Sequence, residues 1–418
     1  MTRKVRVPEA SCRAAVDNAG MATPEHARPT ARRIAGNSIF FPAAAAYAIV
    51  VLPLSVLSML GAFHGFDGLA TPAGHAHEML FGFALAVVAG NQLGPRTPRM
   101  LALLFGAWLV ARLTFLVLPH TALATVANVA FPSLLAWHLA PRLFRSAKKW
   151  RNQALPAVVT GICASAIVFP LVLGDPSAPA ATRRLLLVAI ALFSLLLLFM
   201  GGRLIAPAVA GAFYHQGENL AARVQPRIEG ALIVLMALAA LTLALEDAMR
   251  LPAGIAAFAL EVAGLLAAVR VARWQLWRLR GRPDLLCLAA GYAWLALGLV
   301  LLGAAHADDA LGPAGQTGAL HVITVGSLGT LTLNVMAMTR LLKARQSPAG
   351  TRLPVVATLL LAAATVLRVL AAYAIGDARA LLVTASFGWS AAFLLLLIVL
   401  VRPLPQRTDA RVRDPPSV

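Results

Sequence analysis

Long apolar runs separated by short polar connections organise this chain, and the runs share one length. Blocks of about 20 apolar residues, enough to cross a bilayer as a helix, recur from Ile39 to Leu404. Twelve spans are predicted, over residues 39–61, 77–94, 100–118, 122–141, 154–173, 185–205, 228–246, 252–272, 285–305, 318–339, 354–376 and 380–402. The alternating pattern of a membrane barrel strand is absent. Backbone inside lipid must satisfy its own polar groups, so these runs read as helices. The predicted fold class is all-α: a polytopic membrane protein, a twelve-helix bundle over residues 39–404. Its short connections make neighbouring helices antiparallel and leave no separate soluble domain.

Composition agrees. Of 418 residues, 60% are hydrophobic and 13% charged, too apolar for a soluble domain of this length. A net charge of +19 would suggest nucleic acid in a soluble protein, but here its distribution argues for topology and against that partner. Of the 36 Lys and Arg, 29 lie in the terminal segments, in the connections after even-numbered spans or at the span ends that adjoin them (Arg203, Arg402). Only 4 lie in the connections after odd-numbered spans, and the remaining 3, Arg112, Arg270 and Arg368, fall inside spans. Basic residues collect on the cytoplasmic side, so both termini are expected there. Residues 1–38 are expected to form a disordered basic tail, with translation starting at Met1 or Met21, and residues 405–418 a second cytoplasmic tail. No apolar core precedes Ile39, so the start does not read as a cleavable signal. Cys12, Cys163 and Cys287 are scattered and suggest neither a disulfide framework nor a thiolate metal site.

The polar residues set among these spans carry the candidate chemistry. His64, His75, His77, His120, His306 and His321 fall at or near the outer face, His138 and His215 at the inner face. The stretch "HAHEMLFGFALAVVAG" opens span 2 with His75, His77 and Glu78, all capable of holding a metal. In a regular helix His75 and Glu78 share a face and His77 points elsewhere. Helix capping at the interface accounts for the same residues without a ligand. Span 10 opens with "ALHVITVGSLGTLTLNVM", which sets His321 at the depth of His77. Small residues follow both: Gly82, Ala86 and Gly90 after His77, Gly326 and Gly329 after His321. They permit close helix packing, and equally leave room for a flat macrocycle. Imidazole is a common axial ligand of haem iron, so His77 and His321 suit a bis-histidine haem b.

Arg112 and Arg368 lie within the outer halves of spans 3 and 11, where either would suit a haem propionate; Arg112 also has the option of snorkelling outward. Glu261, near the middle of span 8, suits a proton path or an arginine partner. "MGGRLIAP" ends span 6, and a helix stop with Arg203 as a basic anchor accounts for it. Interfacial anchoring likewise accounts for the basic, Trp-bearing "RVARWQLWRLRGRP". His306 with Asp308 and Asp309 reads as a solvated loop more readily than as a surface metal site.

Several stretches together resemble the NnrS family of haem- and copper-containing bacterial membrane proteins. They are "HAHEMLFGFALAVVAG", "GGRLI", "ARW" with "WRLR", "GYAWLALGLVLLG" and "ALHVITVGSLGTLTLNVMAMTR", and the resemblance spans nearly all of residues 37–402. It implies an inner-membrane protein of twelve spans linked to denitrification and to resistance against nitric oxide and nitrosative stress. It also implies His75, His77, Glu78 and His321 as the family's metal-site positions, with Arg203 in its Gly-Gly-Arg. Nitric oxide or its metal complexes would be the ligand; the resemblance supplies no electron donor and no catalytic residue. This chain departs from the family in having Gly74 where a Trp is usual, Ala289 and Ala290 where a His is common, and "KARQSPAG" for a Gly-His-Thr-Gly-Arg stretch. Those losses put a second metal site, and with it copper, in question.

The topology is also similar to the catalytic subunits of haem–copper oxidases, whose low-spin haem is held from helices 2 and 10. Those enzymes hold copper with histidines of helices 6 and 7, which spans 6 and 7 here lack, arguing against oxygen reduction. Two other classes fit the sequence. A secondary transporter would place its site near the midplane, around Glu261. A structural or assembly protein would need no cofactor.

Overall fold

The computed structural model describes residues 33–173, 179–220, 225–308 and 311–403. The expected terminal tails lie outside these residues, apart from residues 33–38. Eleven helices are long and apolar enough to cross a membrane: α1 (Asn37–Met59), α3 (Pro98–Val117), α4 (Ala122–Ser146), α5 (Trp150–Leu173), α6 (Pro179–His215), α7 (Pro226–Met249), α8 (Ala253–Arg278), α9 (Pro283–Ala307), α10 (Gly312–Lys343), α11 (Arg352–Ala372) and α12 (Ala378–Val401). The twelfth predicted span is present as α2, built from Pro72–His77, Glu78–Ala84 and Leu85–Gln92 without a break. Its two histidines and glutamate dilute the apolar character that the other eleven have.

Local chemistry sets where α2 begins. Thr71, in extended conformation, accepts the Gly74 backbone N–H at 3.1 Å, and Pro72 takes the first helical position. A threonine cap followed by proline is a helix start. The helix therefore enters five residues before the predicted boundary, and His75 and His77 are both helical. At its far end Gly94 turns the chain with φ of +62°, a conformation glycine adopts without a β-carbon clash. Two-residue strands Ile34–Ala35 and Pro95–Arg96 then pair antiparallel, Ile34 opposite Arg96, tying the start of the described chain to the connection after α2.

The bundle closes on itself. Sequential helices pack in order, and α12 packs along α1. Inside this ring, α6 touches both α2 and α10. Burial follows: 72% of the most apolar window of α10 is inside the protein, against 28% for the peripheral α11. The main core cluster runs from Phe40 to Leu400, and Val51, Leu69 and Leu116 form a small second one. The three central helices share one local feature, a π-helical turn: Glu78–Ala84 in α2, Gly201–Ile205 in α6 and Val322–Gly329 in α10. Such turns recur at functional sites because they re-aim side chains.

Candidate functional site

The π-turn of α2 changes which motif residues meet. It begins at Glu78, and Glu78, which a regular helix would set on the face of His75, makes its contacts with other residues. Glu78 turns instead to its neighbour, with His77 Nδ1 2.8 Å from Glu78 Oε1. The Arg112 guanidinium donates to the same oxygen at 2.7 Å, and the Tyr47 hydroxyl donates to Oε2. Arg112 also donates to Asn128 Oδ1 at 2.5 Å. His77, Glu78, Arg112 and Asn128 are all buried. The His77 ring is stacked between Phe115 and Phe169, with centroids 3.9 and 4.7 Å away. Arg112 is thus buried and paired with Glu78, and does not snorkel.

His75 faces another way. Its Nδ1 lies 3.0 Å from Ser55 Oγ of α1. Across the bundle, His321 Nδ1 lies 2.7 Å from the Thr317 carbonyl. A carbonyl only accepts, so Nδ1 carries the proton and Nε2 keeps its lone pair. Ligating histidines are held by this second-shell contact. Both rings are half-buried. They are within electrostatic reach of each other, and Arg368 is within reach of both. Arg368, half-buried, has no carboxylate partner among the described residues. The structure thus sets His75, His321 and Arg368 within electrostatic range of one another, and joins His77, Glu78 and Arg112 by direct contacts.

The glycines expected to leave space for a macrocycle are occupied. Glu78, Arg112 and Tyr47 crowd Gly82, and the Phe40 and Phe41 side chains crowd Gly90. Trp294 and Thr365 lie over Gly326, and Trp389 covers Gly329. Close packing is what these glycines serve. Among the described residues no three His, Cys, Asp or Glu side chains converge as a metal-ion site.

The remaining candidates lie apart. Glu261 is half-buried with its stem against Gly303 of α9 and has no hydrogen-bond partner among the described residues. His306 Nε2 lies 3.0 Å from Glu246 Oε2, which accounts for it without a metal; Asp309 lies outside the described residues. His64, His120 and His215 are exposed, and His138 is half-buried. Arg203 donates to Asn152 and lies 3.4 Å from Glu229, which Arg151 binds at 2.6 Å. A largely apolar cleft with about 670 Å³ of empty space, its open mouth included, lies between α2, α6, α9 and α10, with Val87, Leu196, Gly201 and Leu328 among its walls.

Sequence reasoning missed Tyr47, Ser55 and Asn128, the partners that orient the motif. Each is a single polar residue inside an apolar run, and that is the only signal it carries.

A protein-family model described as NnrS protein matches residues 35–407. No curated protein matches the chain.

Proposed function

The chain belongs to the NnrS family, and from that premise we propose that it is a haem-binding inner-membrane protein of the nitric oxide and nitrosative stress response. His75 and His321 are the proposed axial ligands, and Arg368 the proposed partner of a propionate. The supporting observation is the pairing of two half-buried imidazoles, each with Nδ1 engaged, beside a guanidinium without a carboxylate partner. Those contacts leave Nε2 of each ring toward a metal. A guanidinium favours a carboxylate through charge-assisted hydrogen bonds. His77 is the weaker candidate, because it is 1% exposed and two phenylalanine rings cover its faces.

A bound haem supplies redox chemistry and, with one coordination position open, a site for nitric oxide. What the protein contributes is the imidazole orientation set by Ser55 and Thr317 and the charge of Arg368. The donor set does not fit copper, so no copper site is proposed. Both termini are proposed to be cytoplasmic, on the distribution of basic residues.

The test is an optical spectrum of the detergent-purified protein, oxidised and reduced, for the wild type and for His75→Ala, His77→Ala and His321→Ala. A b-type spectrum abolished in the His75 and His321 variants and kept in the His77 variant supports this reading. Loss with His77→Ala and retention with His75→Ala would move the ligand two residues along α2. A colourless wild type, expressed with ample haem, would sink the haem reading and turn attention to transport around Glu261.

A further inference from the structure

Two motifs that looked like unrelated surface features meet at the opposite end of the bundle from His75 and His321. The Gly-Gly of "GGRLI" lies in the π-turn of α6, and the first Arg and the Trp of "RVARW", Arg270 and Trp274, lie one turn apart near the end of α8. Arg270 is 4% exposed and Trp274 is fully buried. A β-carbon on Gly202 would collide with the Arg270 guanidinium, and one on Gly201 with the Tyr292 ring. Only glycines allow the helix to come this close.

Arg270 is poorly satisfied where it lies. Its Nη1 donates to the Leu198 carbonyl at 3.2 Å and to the Tyr292 hydroxyl at 3.3 Å, both long for a charged donor. Its Nε is buried with no partner, and so is the indole N–H of Trp274 beside it. No carboxylate pairs with Arg270 among the described residues. The Glu229 carboxylate does not compensate it, because Arg151 and Arg203 already share it. A buried cation is costly unless something neutralises it, and buried donors are rarely left unpaired. Satisfying the Leu198 carbonyl explains one nitrogen of the guanidinium. It explains neither Nε nor Trp274.

We propose that Arg270, Trp274 and Tyr292, packed on the Gly201–Gly202 turn, form a binding site for a phosphate-type oxyanion, reached past half-buried Gly202 and exposed Arg203. Such an anion accepts from a planar guanidinium fork and an indole N–H together, and it offsets the excess of arginine over carboxylate. The oxyanion comes either from solution or from the headgroup of an anionic phospholipid. The site is independent of haem.

The full-length protein, purified in detergent, is titrated with inorganic phosphate and followed by thermal unfolding. In parallel it is reconstituted with phosphatidylglycerol or with phosphatidylcholine alone, and retained lipid is weighed by native mass spectrometry. Saturable stabilisation by phosphate identifies a soluble oxyanion. Selective retention of phosphatidylglycerol without a phosphate effect identifies a lipid headgroup. In either case Arg270→Gln is expected to weaken binding by about tenfold to a hundredfold, the value of one or more charged hydrogen bonds. Trp274→Phe keeps the ring and removes the donor, and is expected to weaken binding by about tenfold. It remains informative if Arg270→Gln fails to fold. Equal behaviour of the wild type and Trp274→Phe toward both probes, or no response of the wild type to either, overturns the proposal.

Discussion

Replacing Glu78 by glutamine keeps the shape of the side chain and removes its charge, leaving Arg112 buried without a counter-ion. The local geometry sets the expected size of the effect. Oε1 of Glu78 takes Arg112 at 2.7 Å and His77 at 2.8 Å, and Oε2 takes Tyr47. Glu78 and Arg112 are 0% and 2% exposed, so water does not replace what is lost. Unit charges about 4 Å apart attract by about 4 kcal/mol at an effective dielectric near 20. Removing one partner of a buried pair typically costs about 3–5 kcal/mol, because the other charge is stranded. Removing both costs less, because no charge is stranded. Glu78→Gln and Arg112→Gln are each expected to destabilise by about 3 kcal/mol or more, with the double variant milder than their sum by at least about 2 kcal/mol. The assay is reversible unfolding of the detergent-purified protein in SDS, read as a double-mutant cycle. Additive single effects, with a coupling under about 0.5 kcal/mol, would mean that the pair is not the electrostatic unit described here.

Glycine substitutions should separate by what a β-carbon would meet. Gly202→Ala is expected to cost about 1–3 kcal/mol by overpacking against Arg270, whereas Gly106→Ala on α3, with nothing within 4 Å, should be neutral or stabilising by up to about 1 kcal/mol; SDS unfolding compares them directly. Arg250 ends α7 in the left-handed region at φ of 51°, so Arg250→Gly should raise stability by about 0.5–1 kcal/mol, and an equal or lower stability would refute the strain argument. A fluorescent protein fused after Val418 should fluoresce, and an alkaline phosphatase fused there should be inactive, if the C-terminus is cytoplasmic; the reverse pattern would invert the orientation.

The number and approximate position of the helices were legible in the sequence for one reason. A backbone in lipid must close its hydrogen bonds within each segment, so an apolar run of sufficient length has few other structures open to it. The boundary that mattered most was off by five residues at α2, yet Thr71 and Pro72 are a readable start signal. The candidate residues were legible too, since polar side chains in apolar runs stand out. Their partnerships were not. The sequence by itself determined a membrane bundle and a short set of residues worth testing. The tertiary structure decided that Glu78 serves His77 and Arg112, that His75 shares its surroundings with His321 and Arg368, and that two glycines of α6 seat an arginine of α8. The physical reason is that the partners come from other helices: Glu78 meets Arg112 of α3 and Tyr47 of α1, and His75 meets Ser55 of α1, which spacing along one run does not register. Contacts between α6 and α8 depend on packing across the bundle, which residues far apart in the chain specify only together.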